Sequence, residues 1–200
     1  MKIKNILKSR AGRVAVVAIP VGVVSAVLAG GVAQGAVPVS FAVSGTSFTM
    51  GGSELAGQRF SQYGGVAQLE DGTEIPVAIA NIGDATIADL CQEIVTDTPL
   101  GKVAMVITAG QGGNPVVAQN LQIGMTDLAG DAVFSNVRIG TDAGQVLTDT
   151  KGSGGDFAMD SDAITLKGFS QVAYTTTAGT LALTGMQLKV VTDGSSSCSK

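Results

Sequence analysis

Asp160-Ser161-Asp162 sets two carboxylates two positions apart, and Asp127 and Asp131 stand four apart. A pair of carboxylates is the minimum equipment for glycoside hydrolysis, one as acid and the other as base or nucleophile. The Asp160–Asp162 stretch also offers the oxygen ligands that calcium takes, although without the spacing of an EF-hand loop. Sugar sites are usually lined by aromatic rings, and this chain has no Trp and only two Tyr, Tyr63 and Tyr174. The alternative reading is that these aspartates cap turns between strands.

The other routes to catalysis are narrower still. The chain has no histidine, which removes the Ser-His-Asp triad and its Cys-His variants, because their general base cannot be built. It also removes His-ligated zinc, copper and iron. Gly168-Phe-Ser-Gln-Val172 lacks the last glycine of a nucleophile elbow and falls in a strand pattern. Ser197-x-x-Lys200 has the spacing of a Ser-Lys dyad, but a frayed end cannot hold a nucleophile in geometry. The sequence therefore assigns no catalytic residue, no metal ligand and no cofactor.

The elements that would position any site are strands. Val, Ile, Thr, Ala and Gly dominate, and short runs alternate apolar and polar residues between Gly, Asn and Asp punctuation. The pattern predicts strands at 41–43, 47–50, 59–63, 74–80, 85–90, 102–108, 116–125, 132–139, 163–174 and 180–191. One weak helix is expected over Ala88–Val95, with Cys91 and Ile94 inward, and long loops over Thr108–Pro115 and Gly140–Gly155. A phrase repeats: Asn120-Leu-Gln-Ile and Asn136-Val-Arg-Ile lie 16 residues apart, and Gly168 and Gly185 head looser copies 17 apart. That spacing equals two strands and two turns. The fold class is all-β: an elongated antiparallel meander, β-roll or solenoid-like stack, with a β-sandwich as the alternative. Period-two counting puts Val117, Leu121, Ile123 and Met125, then Val133, Val137 and Ile139, on one core or groove face, with Asn120 and Asn136 on the wetter side.

Ahead of these strands, Lys2, Lys4, Lys8, Arg10 and Arg13 precede 20 uncharged residues, Val14–Ala33, and a small-residue Ala33-Gln34-Gly35 step. Residues 1–35 are expected to be a signal peptide or an uncleaved membrane anchor, leaving 36–200 as a single extracytoplasmic domain. That domain keeps 7 of the 12 basic residues and all 16 acids, a net charge of −9. Such a surface repels nucleic acid. Cys91 and Cys198 are an even count in an exported chain and are expected to form a disulfide, two free thiols being the alternative.

Several stretches resemble a family of uncharacterised exported proteins of actinobacteria, some of them automatically labelled cholesterol esterase. The matching pieces are Ser40-Phe-Ala-Val-Ser-Gly45, Gln62-Tyr-Gly-Gly65, Ala85-Thr-Ile-Ala-Asp-Leu-Cys91, Pro115–Gly140 and Ala173–Val190. After Ala36 the "VPVS" stretch departs from the family's alanine-rich cleavage region. The resemblance implies a cell-envelope protein, often encoded beside a polytopic membrane protein. An esterase is at odds with the missing histidine. The expectation is a non-enzymatic envelope protein with a lipid, sterol or other apolar ligand in a β groove. The alternative is a structural or interaction protein that forms homo-oligomers or serves a membrane partner, and esterase activity is the third reading.

Overall fold

A computed structural model describes residues 42–43, 45–99, 101–192 and 198. The expected signal or anchor at 1–35 and the Ser197/Lys200 pair lie outside the described residues. The strands are β1 (Ala42–Val43), β2 (Phe48–Leu69), β3 (Glu74–Ala88), β4 (Leu90–Thr98), β5 (Gly101–Ala109), β6 (Val116–Ser135), β7 (Arg138–Asp142), β8 (Phe157–Thr177), β9 (Thr180–Ala182) and β10 (Gln187–Val191). One 3-10 turn spans Ala143–Gln145. The protein is all-β.

The registers reduce these pieces to four long lines. β3 and β4 pair with β2 in one unbroken register, from Gln68↔Glu74 through Glu54↔Ala88 to Gly51↔Cys91 and Phe48↔Ile94. β5 pairs with β4 and β6 with β3 along the far side, offset by the 110–115 turn. β6 and β7 then run along β8, from Ser135↔Ala163 to Arg138↔Asp160. β9 and β10 extend β8 alongside β6 and β5. The result is an up-and-down meander. It closes on itself where β8 pairs with β2, from Phe48↔Ala173 to Gly52↔Phe169. A ring of so few strands leaves no lumen, because barrel diameter falls with strand number. Leu55, Phe60, Ile82, Ile87, Leu121, Ile123, Ile164 and Phe169 fill its interior, and Phe134 packs a tilted ring 5.5 Å from Phe60.

Closing so small a ring demands sharp bending, and the bends explain the repeated phrase. Asn120, Asn136, Arg59 and Asp89 adopt left-handed backbone with φ of 50, 52, 56 and 51°, and Gly168 and Gly185 do so at 55 and 67°. All four phrase heads, Asn120, Asn136, Gly168 and Gly185, are in this set. Asn, Asp and Gly tolerate that region best. Within β6 and β8 such a residue switches which parity is buried. Val116 and Ala118 are inward before Asn120, and Leu121, Ile123 and Met125 after it. Ile164 and Leu166 precede Gly168, and Phe169 and Ala173 follow it. The bends also line up across strands: Arg59 lies opposite Gly83, and Gly83 opposite Asn120, between regular pairs on both sides. A shared row of kinks bends the sheet without breaking its register.

Four expectations are corrected, the first three at these kinks and the last by packing. Val117 falls on the outer face because the phase switches at Asn120. Val133, Val137 and Ile139 are exposed, Val133 and Ile139 by 66% and 71%, because they lie beyond the last β3–β6 pair, Ala78↔Met125, with further kinks at Gly130 and Asn136. Leu121, Ile123 and Met125 are buried. The Ala88–Val95 helix is strand, broken only at Asp89, where Ser53 Oγ donates to the Asp89 carboxylate at 2.6 Å. Gly140–Gly155 is no structureless loop. It holds the end of β7 and the 3-10 turn, capped by Asp142 accepting from Gly144 N at 2.7 Å, and it packs Ala143 and Val146 against Tyr63 and Ala158.

Candidate functional site

The outer face of β2, β3 and β6 carries the most concentrated polar chemistry. Ser61 pairs with Asn81 and Asn81 with Gln122 in register, so one row places a hydroxyl and two amides side by side. These groups lie on the side of the strands away from the Phe60–Leu121 core, under the strap that joins β7 to β8. The bonds run in one direction. Gln122 Nε2 donates to Asn81 Oδ1 at 2.8 Å, and Asn81 Nδ2 donates to Ser61 Oγ at 3.3 Å. Ser61 Oγ bonds Thr148 Oγ1, whose own proton goes to Thr150 O at 3.0 Å. Tyr63 sits beside them. Burial pushes its phenol up from the ordinary value, and hydrogen bonds to Asn81 and Gln122 pull it part of the way back.

That geometry anchors a strap and does not prepare a nucleophile. Ser61 is fully buried and hydrogen-bonded to neutral side chains, whereas a nucleophilic serine needs a base positioned to take its proton. The strap is held at a second point by Asp160, whose side chain is fully buried. Asp160 accepts a forked pair of bonds from the Arg138 guanidinium and a third from Leu147 N at 2.9 Å. The Arg138 bonds, then the Leu147 amide, hold its carboxyl below the usual carboxylate range against the opposing effect of burial. Lys151 Nζ donates to Val146 O within the same strap.

The acid pairs therefore part company. Asp160 is occupied by Arg138, while Asp162 is exposed and accepts from Asn136 Nδ2 at 2.8 Å. Both lie inside β8, not in turns. Asp127 and Asp131 are exposed on β6. Among the described residues no three Cys, Asp or Glu converge to hold a metal ion. Arg59 reaches over Gly83 to pair with Asp84 at 3.0 Å and approaches Asp149 on the strap at 3.7 Å. The Ser61–Asn81–Gln122 row escaped sequence reading because its members are 20 and 41 residues apart in the chain. Only the strand register, unknown beforehand, brings them together.

At the opposite end of the meander Cys91 and Cys198 form a disulfide across 107 residues. The bridge ties β4 to Cys198, and bonds of this kind form and persist in oxidising compartments. Among the described residues no helix is long and apolar enough to cross a membrane.

No curated protein and no solved structure matches the chain. The family of unknown function DUF6230 matches over residues 44–199, which takes in β2 to β10 and both cysteines. The chain belongs to the DUF6230 family.

Proposed function

We propose that this protein is a non-enzymatic extracytoplasmic interaction protein, working through its sheet surface and not through an internal pocket. The observation that carries the reading is where the apolar side chains lie. Leu121, Ile123 and Met125, expected to line a groove, are consumed in a closed core. Val133, Ile139 and Phe157 stand in solvent at 66%, 71% and 67% exposure on the β6–β7–β8 ribbon. Apolar side chains left exposed along one ribbon are what a contact surface would use, where they come together as a patch. The polar row at Ser61 supports the same reading, since its groups are spent on one another. A lipid or sterol would have to lie on the outside of the ribbon and would gain little of the enclosure that small-molecule sites provide.

Native mass spectrometry of the protein purified with its disulfide intact tests the proposal, alongside a panel of cholesteryl and short-chain esters. Bare protein masses and no turnover are expected. A stoichiometric lipid adduct that survives purification, or ester turnover abolished by Ser61→Ala, overturns it.

A further inference from the structure

We propose that the outer edge of β6 at Asp131–Ser135 pairs with the same strand of a second copy of this chain, about a two-fold axis at Val133. The inference rests on the surface reading above and names the partner. β3 accompanies β6 only as far as Met125, whereas β8 follows its other side to Ser135. Beyond Met125 one edge of the β6 backbone is without a strand neighbour among the described residues, and every side chain from Thr126 to Val133 is exposed. Exposed edges recruit strands unless they are guarded by charge, proline or a bulge. Within Asp131–Ser135 this edge has no proline and no glycine, and its one charge, Asp131, stands at the end of the segment beside the irregularity between Ala129 and Asp131.

The terminal strands of the sheet, β10 and β7, are guarded: Lys189 stands at the centre of β10, and β7 runs from Arg138 to Asp142 with a register irregularity between Ile139 and Thr141. A two-fold pairing of β10 about Lys189 would set two ammonium groups face to face, which destabilises a cross-strand pair. The β6 edge is self-complementary instead. In an antiparallel pair centred on Val133, Val133 meets its own copy, Ala132 meets Phe134 and Asp131 meets Ser135. Apolar faces apolar, small faces large, and an acid faces a hydroxyl donor. Gly130 and Asn136, both with positive φ, turn the strand away at either end and limit the regular pairing to these five residues. An isologous contact of this kind closes at two copies and does not propagate.

Sedimentation velocity over a concentration series, with the disulfide intact, tests the inference. The mass is expected to rise from monomer towards dimer. Val133→Lys should raise the midpoint concentration at least tenfold, while Val190→Lys, at an equally exposed position on β10, should leave it unchanged. Hydrogen exchange on the unmodified protein gives a second readout: amides 131–135 should slow as concentration rises. A monomer at the highest attainable concentration overturns the inference, as does a dimer indifferent to Val133→Lys or one lost with Val190→Lys. In those cases bare masses and no ester turnover leave the surface reading standing, whereas a lipid adduct removes that reading itself.

Discussion

Gly168 separates two accounts of this sheet by sign. It lies inside β8 with φ +55°, and nothing lies within 4 Å of where a Cβ would stand. An ordinary glycine in mid-strand weakens the strand, so valine in its place would add up to about 1 kcal/mol of stability. If Gly168 is a built-in kink, the same valine must hold a left-handed backbone, at a cost of roughly 1–2 kcal/mol for an L-residue. The free space around the site means that no clash contributes, so the difference is conformational. For a domain of this size about 2–4 °C of melting temperature accompanies each kcal/mol. The kink account thus predicts that Gly168→Val lowers Tm by roughly 2–8 °C, with Gly168→Asn closer to the parent because Asn tolerates this region. The comparison is made by calorimetry with the Cys91–Cys198 bond intact. A Gly168→Val protein that melts higher than the parent refutes the kink account, and with it the explanation of the repeated phrase.

Four further outcomes follow from the packing. Ile123→Ala should cost about 2–5 kcal/mol in urea unfolding, while Val133→Ala should stay within about 0.5 kcal/mol, since Ile123 is buried and Val133 exposed. Reducing the Cys91–Cys198 bridge should lower stability by ~4.7 kcal/mol on the chain-entropy model for a loop near 100 residues, read as a shift of the denaturation midpoint with and without reductant. Asp160→Asn should destabilise the protein at neutral pH. Because the folded carboxyl titrates below its usual range, the stability it contributes is present above that range and lost as pH falls through the folded value, so parent and variant curves should converge in acid. Gln171 is buried with its Nε2 unpartnered, and Gln171→Leu should leave stability unchanged or raise it by up to about 1 kcal/mol, measured by thermal melting.

The strand content was legible because alternation survives wherever the backbone stays extended. Glu74–Ala80, Lys102–Thr108 and Ala163–Tyr174 all fall in strands. The breaks were legible as well, but their meaning was not. Asn120 and Asn136 stood out as the heads of a repeated phrase, and a period of two was then run straight through them. A single left-handed residue reverses that period, so Val117 faces solvent, whereas Ile139 is exposed because it lies beyond the stretch of β6 that β3 covers. The length of the strands is hidden by glycines as well. The alternation gives 47–50 and 59–63 as separate runs, because Gly51, Gly52 and Gly57 between them look like punctuation, whereas β2 is continuous. In fact Gly51 and Gly52 give room for β8: a Cβ on Gly51 would stand 2.8 Å from Phe169 O, and one on Gly52 2.9 Å from the Phe169 ring and 2.7 Å from Ala88 O of β3. The strap from 143 to 156 was unreadable for another reason. Its order comes from Ser61 and Tyr63, partners far away in sequence, and from Asp160 inside the next strand, while its own glycines and aspartates are those of a mobile loop.

The same physics that closes the barrel limits what the protein can do. A ring this small must spend its inward side chains on packing, so enlarging a ligand cavity would mean deleting residues such as Leu121 or Ile164, at a stability cost of several kcal/mol each. Selection on such a fold therefore acts most freely on the outer faces and the edges that the meander leaves. Closure of β8 on β2 covers Phe48–Gly52 and Phe169–Ala173 against added strands, and β6 outruns its last β3 pair by ten residues, from Thr126 to Ser135. A shorter β6 would have matched β3 and left less edge. The added length carries Asp131–Ser135, the strap and its Arg138–Asp160 clamp, so the ordered strap and the open edge come from one extension. Loosening the clamp should then loosen the edge: Asp160→Asn is expected to speed hydrogen exchange at 131–135 as well as at 143–150, while leaving Leu121 and Ile123 protected. Exchange that quickens in the strap alone would show that edge and strap are independent.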